Sequence, residues 1–253
     1  PWESFEQYRS AQPGEPLYDN AMREWSLAHL REHVQDGSLP QVSWIVPSPV
    51  WSEHPAKSSP LQGASFVQQV LDALVSNPEV WSKTVFIVTF DENDGFFDHV
   101  PPPAPPSYNQ DGTLAGATTL SAAMGGEYFT NEVFGNLATR PYGMGPRVPL
   151  FAISPWSRGG WVCSEVFDHT STLRFLETRF GVAEPNISAW RRAVSGDLTR
   201  CFNFDEPNLA LPVLPDMRDS LGWSYSGAGF MNTVNAAGYL AGALLASRLI
   251  QRF

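Results

Sequence analysis

Seven consecutive residues, Thr84-Val85-Phe86-Ile87-Val88-Thr89-Phe90, are β-branched or aromatic with no polar alternation. A run of that kind predicts a strand covered on both faces, as in parallel sheets flanked by helices. The flanking sequence reads the same way. Tyr18 to Asp36 carries Trp25, Leu27, Ala28, Leu30 and Val34 in a partly helical period and closes at Asp36-Gly37. Gln41 to Val46 reads as a short strand stopped by Pro47 and Pro49. Leu61 to Leu74 puts Val67, Val70, Leu71 and Leu74 on one helical face and ends before Asn77-Pro78. Pro149 to Ser154 is a third strand, Thr170 to Phe180 a third helix, and Val100 to Met124 an irregular surface excursion. This is α/β order, and it predicts a mainly parallel sheet with helices packed on it.

At 253 residues the chain is long enough for one large domain or two small ones. The 16 basic against 26 acidic side chains give a formal charge of -10, which leaves no basic footprint for nucleic acid. The same charge opposes anionic membrane surfaces and leaves a zwitterionic lipid open as a ligand. Two cysteines, Cys163 and Cys201, are too few for a zinc site or a disulfide framework. Paired, they would close a loop worth roughly 3 to 4 kcal/mol; unpaired, they are two buried thiols, and the sequence leaves both open. Pro1 to Arg9 shows no basic segment followed by an apolar one, so no export signal is read here. Either a signal has been removed or the chain begins within something larger.

The last segment differs in kind. Ser220 to Ser247 contains no charged residue, and Gly238 and Gly242 form a G-x-x-x-G within a small-residue run. That length predicts an apolar C-terminal helix able to span or contact a membrane through 220–247. Asn232, Asn235 and the Gly/Ala bias support an ordinary core helix instead.

Chemistry concentrates after the central strand. Asp91-Glu92-Asn93-Asp94-Gly95 lies just beyond its carboxyl end, where ligands bind in open α/β sheets. Two neighbouring carboxylates on a turn suit one hard divalent cation, and such an ion can polarise a phosphoryl oxygen. An acidic turn that merely caps a strand is the plainer reading. His54, in Ser52-Glu53-His54-Pro55, follows the preceding predicted strand and is a candidate to bind phosphate or protonate a leaving alkoxide. Asp98-His99 and Asp168-His169 are acid–imidazole pairs in aromatic surroundings, equally suited to catalysis and to internal ties. His29-Leu30-Arg31-Glu32-His33 has the H-x-x-E-H spacing of a metalloprotease. Its neighbours Arg23, Glu24 and Arg31 read as a solvated helix face, and no third ligand is in place.

Several longer stretches carry a resemblance: Leu39 to Val46, Ser52 to Pro55, Val80 to Thr84, Thr89 to Pro103, Gly143 to Trp156 and Phe167 to Ser171. On these, Phe5 to Asp216 resembles the C-terminal half of bacterial phosphocholine-specific phospholipases C, in the superfamily shared with certain acid phosphatases. The resemblance implies a partial alkaline-phosphatase-like α/β sandwich over residues 1–216. It also implies hydrolysis of phosphatidylcholine or sphingomyelin to phosphocholine and a neutral lipid, and a periplasmic or secreted location. Position by position, Asp91 and Glu92 match metal ligands for a divalent ion whose identity stays open. His54 matches an active-site histidine, with His169 a second catalytic candidate and His99, Asp98 and Asp168 in supporting roles. A choline headgroup would suit aromatic faces, none of which the sequence singles out.

The departures matter as much. The Glu-Asn-Arg-Ser-Phe-Asp type motif that supplies the family's first metal ligands does not occur, and no nucleophilic hydroxyl is identified. The chain alone is therefore expected to be impaired. The alternative is a non-catalytic remnant, or a membrane-tethered fusion fragment that needs a partner to complete its sheet. Residues 217–253 resemble the start of a major-facilitator transporter, with a join expected near Pro215-Asp216.

Overall fold

A computed structural model describes residues 2–208, apart from Asp94, Phe96, Phe97, 121–125, 134–135 and Gly159. The predicted C-terminal helix, the join near Asp216 and the membrane contact through 220–247 lie outside the described residues. The chain divides into two units, one ending at Thr84 and the other beginning at Val85. Each is built separately below.

The first unit is helical. It contains α1 (Glu6–Arg9), α2 (Leu27–Asp36), α3 (Pro60–Val75) and α4 (Pro78–Trp81), with a π-helical turn at Tyr18–Met22. The helix expected over Tyr18–Asp36 is broken, because Arg23 and Ser26 adopt extended backbone. Ser26 closes a capping box instead: its hydroxyl accepts from the His29 N–H at 3.4 Å while its own N–H donates to His29 Nδ1 at 3.2 Å. A side chain that caps the backbone locally ends the helix where propensity alone would have carried it through. The box also occupies an imidazole nitrogen of the H-x-x-E-H stretch.

Helices α2 and α3 pack on one another. Val34, Val70, Leu71, Ala73, Leu74, Val75 and Trp81 are buried, as the period in the sequence requires. Asn77 joins the elements: its amide nitrogen donates to the Val34 carbonyl at 2.9 Å, and its amide oxygen caps α4 by accepting from Glu79 N–H at 3.1 Å. Asn77→Ala therefore removes a cap and a bond to the end of α2, at an expected cost of about 1–2 kcal/mol. Urea denaturation followed by tryptophan fluorescence measures it, and a change below about 0.3 kcal/mol would deny Asn77 this role.

Gln41–Val46 is not a strand. Val42, Trp44, Ile45 and Val46 are exposed there, and no other strand is described in this unit. Strand propensity without a hydrogen-bonding neighbour leaves only an extended stretch.

The second unit holds β1 (Phe86–Thr89), β2 (Tyr128–Val133), β3 (Asn136–Pro141), β4 (Leu150–Ile153), α5 (Thr170–Phe180) and α6 (Ala189–Val194). The sheets correct the parallel expectation. β1 pairs antiparallel with β4, Phe86 opposite Ile153 and Thr89 opposite Leu150. β2 and β3 form a hairpin that the sequence did not announce, because Thr, Asn, Glu and Arg interrupt its apolar pattern. β1 is only half-buried, so its unbroken apolar run overstates its cover among the described residues. The proline-rich stretch is tied down: Tyr128 Oη donates to the Pro106 carbonyl at 3.0 Å and Met144 N–H to the Pro103 carbonyl at 3.0 Å. Phe175, Phe202 and Phe204 stack in sequence, each step 5.3 Å between ring centroids, and Phe202 and Leu198 are buried.

Candidate active site

The antiparallel register changes the basis of the site. The rule that ligands bind beyond the carboxyl edge belongs to parallel strands, and the β1–β4 pair no longer supports it. What holds the Asp91–Glu92 turn is instead a contact from far along the chain. His169 Nε2 lies 3.0 Å from the backbone carbonyl of Asp91. A carbonyl oxygen only accepts, so Nε2 carries the proton and Nδ1 is left with the lone pair of the neutral ring. Asp91 and Glu92 are both exposed.

The residues around His169 explain why it is presented this way. Asp168 Oδ1 accepts from Thr170 N–H at 3.0 Å and from Thr170 Oγ1 at 2.6 Å, while its own N–H donates to the fully buried Ser171 hydroxyl at 3.0 Å. These bonds fix the first turn of α5, with His169 just outside it. Asp168 Oδ2 accepts from Arg191 Nη1 at 2.7 Å. Burial pushes the Asp168 carboxyl up, but the Thr170 and Arg191 hydrogen bonds outweigh it and leave the group below its ordinary range. Asp168 thus serves Thr170 and Arg191 rather than the imidazole next to it.

Arg191 is the hub. Besides Asp168, its Nε meets Glu127 Oε1 at 3.1 Å and its Nη2 donates to the Gly143 carbonyl at 2.9 Å. Glu127 is 2% exposed and also accepts from the Ser188 hydroxyl at 2.5 Å, while its Oε2 is buried with no hydrogen-bond partner among the described residues. One guanidinium therefore faces two buried carboxylates and joins the loop before β2, the loop after β3, the start of α5, and α6. Sequence reasoning missed Glu127, Ser188 and Arg191. No motif links residues that lie this far apart in the chain.

The neighbouring clamp is more exposed. Arg192 meets Glu177 through two bonds of 2.7 Å, and Glu184 N–H also donates to Glu177 at 2.5 Å. The Arg192 hydrogen bonds and then the Glu184 N–H pull the Glu177 carboxyl from 4.5 to about 2. Because the folded form holds this group below its unfolded value, its contribution is complete above pH 4.5 and is lost as the pH falls towards 2. Arg192→Met is expected to move the acid-unfolding midpoint upward in pH, measured by circular dichroism across pH 2 to 6. An unchanged midpoint would remove the clamp from acid stability.

The second acid–imidazole pair is split in the same way as the first. Asp98 accepts from Arg147 N–H at 2.7 Å and from Arg147 Nε at 2.5 Å. The backbone bond leads in drawing the Asp98 carboxyl below its usual range. His99 is exposed. The tie brings the segment before β4 to the same end of the pair, since Leu150 sits opposite Thr89.

His54 belongs to the first unit and Asp91, Glu92, Asp98, His99, Asp168 and His169 to the second. Ala56 N–H donates to His54 Nδ1 at 3.3 Å, so the lone pair of the neutral ring is on Nδ1 and the proton on Nε2. Among the described residues no three His, Cys, Asp or Glu side chains converge to hold a metal ion. Asp91 and Glu92 are thus two donors where a hard cation takes six or more oxygens. On their own they do not make a metal centre.

Comparison with known proteins agrees with the motifs. The model of the phosphoesterase family matches residues 1–183, and one described as uncharacterised MFS-type transporter YbfB matches residues 209–253. A non-hemolytic phospholipase C of Pseudomonas aeruginosa is 60% identical over 215 residues, covering 84% of this chain and 30% of that protein. A protein of the same name from Burkholderia pseudomallei is 50% identical over 226 residues, covering 84% and 31%. Phospholipase C B of Mycobacterium tuberculosis is 45% identical over 195 residues, covering 72% and 35%. The chain spans about a third of the length of these curated relatives. With the family model covering most of the sequence and the Phe167–Ser171 motif folded into one hydrogen-bonded turn, the chain belongs to the phosphoesterase family.

Proposed function

We propose that this chain is the part of a phospholipase C-type phosphodiester hydrolase that carries one half of the catalytic site. The substrate class is a phosphocholine-containing lipid, phosphatidylcholine or sphingomyelin, cut to phosphocholine and a neutral lipid. The observation that carries the reading is the 60% identity to a protein named non-hemolytic phospholipase C across most of the chain. The His169 tie to the Asp91 carbonyl supports it, because it holds the two exposed acids at a defined turn. In this reading Asp91 and Glu92 contribute two oxygens to a divalent ion whose remaining ligands come from outside the described residues. His54 presents its protonated Nε2 to phosphate or to the leaving oxygen. His169 positions the acidic turn, and Asp98, His99 and Asp168 support the surrounding loops.

Residues 1–216 form the phosphoesterase portion and 217–253 a tail of separate origin, in keeping with the two family matches. The location is periplasmic or extracellular, where such lipids are met. Among the described residues no helix is long and apolar enough to cross a membrane, and a membrane role is assigned only to the tail. Deleting 217–253 should abolish any need for detergent during extraction.

The test is turnover of p-nitrophenyl phosphorylcholine with added divalent metals. The chain is assayed alone and co-expressed with the region of the Pseudomonas aeruginosa relative that it does not match. Metal-dependent turnover in the co-expressed pair, absent from the chain alone, is the expected result. No turnover from a soluble, associated pair would support the non-catalytic alternative, which the exposed Trp44, Ile45 and Val46 favour as a surface awaiting a partner.

A further inference from the structure

The turn before α3 is knit to itself and holds one side chain in a strained position. Ser52 Oγ donates to the Pro49 carbonyl at 3.1 Å and accepts from His54 N–H at 3.3 Å, and Ser58 Oγ donates to the Val50 carbonyl at 3.0 Å. Within this turn Glu53 has a φ of 65°, a left-handed backbone that a residue with a β-carbon adopts reluctantly. That backbone lays the Glu53 carboxylate against α3, in the place a β-carbon on Gly63 would fill. Burial pushes the Glu53 carboxyl above its ordinary range, with no hydrogen bond or cation among the described residues to draw it back. Plain packing would be served by a neutral side chain. A half-buried carboxylate is costly there unless a cation comes to it.

Two rings stand beside it. Phe66 lies one turn along α3 from Gly63, on the same face. Trp51, two residues before Glu53, stacks on Phe66 with centroids 6.4 Å apart and planes at 30°. Both residues are half-buried, and neither is enclosed. We propose that Trp51, Phe66 and Glu53 seat the trimethylammonium end of a phosphocholine group. A quaternary ammonium spreads its charge over methyl groups, which aromatic faces and a carboxylate attract and which need no hydrogen bond. A primary ammonium would shed its water here for a single carboxylate and two rings, and its remaining N–H groups would go unsatisfied.

This seat rests on the phospholipase reading and deepens it, because His54, the proposed partner of the phosphate, directly follows Glu53. One turn of the chain then addresses both ends of the headgroup. Trp51, Glu53 and Phe66 determine the preference for choline over ethanolamine and take no part in breaking the ester.

The experiment is equilibrium binding of phosphocholine, phosphoethanolamine and inorganic phosphate to the full chain, followed by isothermal titration calorimetry. Phosphocholine is expected to bind about tenfold tighter than either of the others. Glu53→Gln, which keeps the shape of the side chain, should erase most of that preference. Nuclear Overhauser contacts from the N-methyl protons to the Trp51 and Phe66 rings of the unaltered protein give a second measurement that depends on no variant folding. Equal affinity for the two ammonium headgroups, no binding of phosphocholine, an unchanged preference in Glu53→Gln, or N-methyl contacts only to other rings would overturn the proposal. Failure of the phospholipase reading shows separately, as a co-expressed pair that turns over no ester while phosphocholine still binds at Trp51 and Phe66.

Discussion

Arg191→Met is expected to destabilise the folded chain by about 3–5 kcal/mol, the cost of leaving buried acids without their cation. Asp168 and Glu127 keep only 5% and 2% of their side-chain exposure, and Arg191 is the cation that meets both. Surface pairs contribute far less, because water and salt screen them. Arg191→Lys keeps the charge but loses the fork that reaches Asp168, Glu127 and Gly143 at once, and an intermediate loss is expected. Adding Glu127→Gln to Arg191→Met should recover part of the stability, since it removes one of the stranded charges. Urea denaturation of the parent, Arg191→Met, Glu127→Gln and the double variant forms the cycle that measures this. A loss below about 1 kcal/mol for Arg191→Met would reduce the hub to the level of an exposed ion pair.

The second large effect is on turnover. In the co-expressed pair, Asp91→Ala is expected to reduce hydrolysis of the phosphocholine ester by about a thousandfold, matching the several kcal/mol that metal assistance supplies. Bound divalent metal, counted by mass spectrometry, should fall with it. That second readout separates a lost ligand from a misfolded turn, as does unchanged melting of the variant. His54→Ala should cost about a hundredfold or more through loss of proton transfer, with metal content intact. Equal turnover and equal metal in Asp91→Ala and the parent would remove the acidic turn from the chemistry.

The sequence marked the acidic turn and the histidines as separate spots and could not join them. His169 reaches Asp91 across 78 residues, a distance over which no local pattern carries information. The Asp-His dipeptides at 98–99 and 168–169 looked alike for the same reason. In both, the acid turns to an arginine, Arg147 or Arg191, that only the folded chain brings near.

Helices fared differently from strands. Thr170–Phe180 is helical over the span its period indicates, and Pro60–Val75 differs by one residue at each end from the span read off its apolar face. A helix satisfies its backbone within itself, so local spacing and caps suffice to place it. A strand makes its ladder hydrogen bonds only with other strands. The run at Thr84–Phe90 correctly announced β1, yet neither its partner nor its direction was written in it, and Leu150–Ile153 turned out to lie antiparallel. Gln41–Val46 has the composition of a strand and, among the described residues of its unit, no strand to pair with. Local sequence thus determined α3 and α5, the turn that bears Asp91 and Glu92, and the family. Tertiary structure alone decided the pairing of the strands and the buried Arg191 hub, because each depends on contacts between groups that the chain itself keeps far apart.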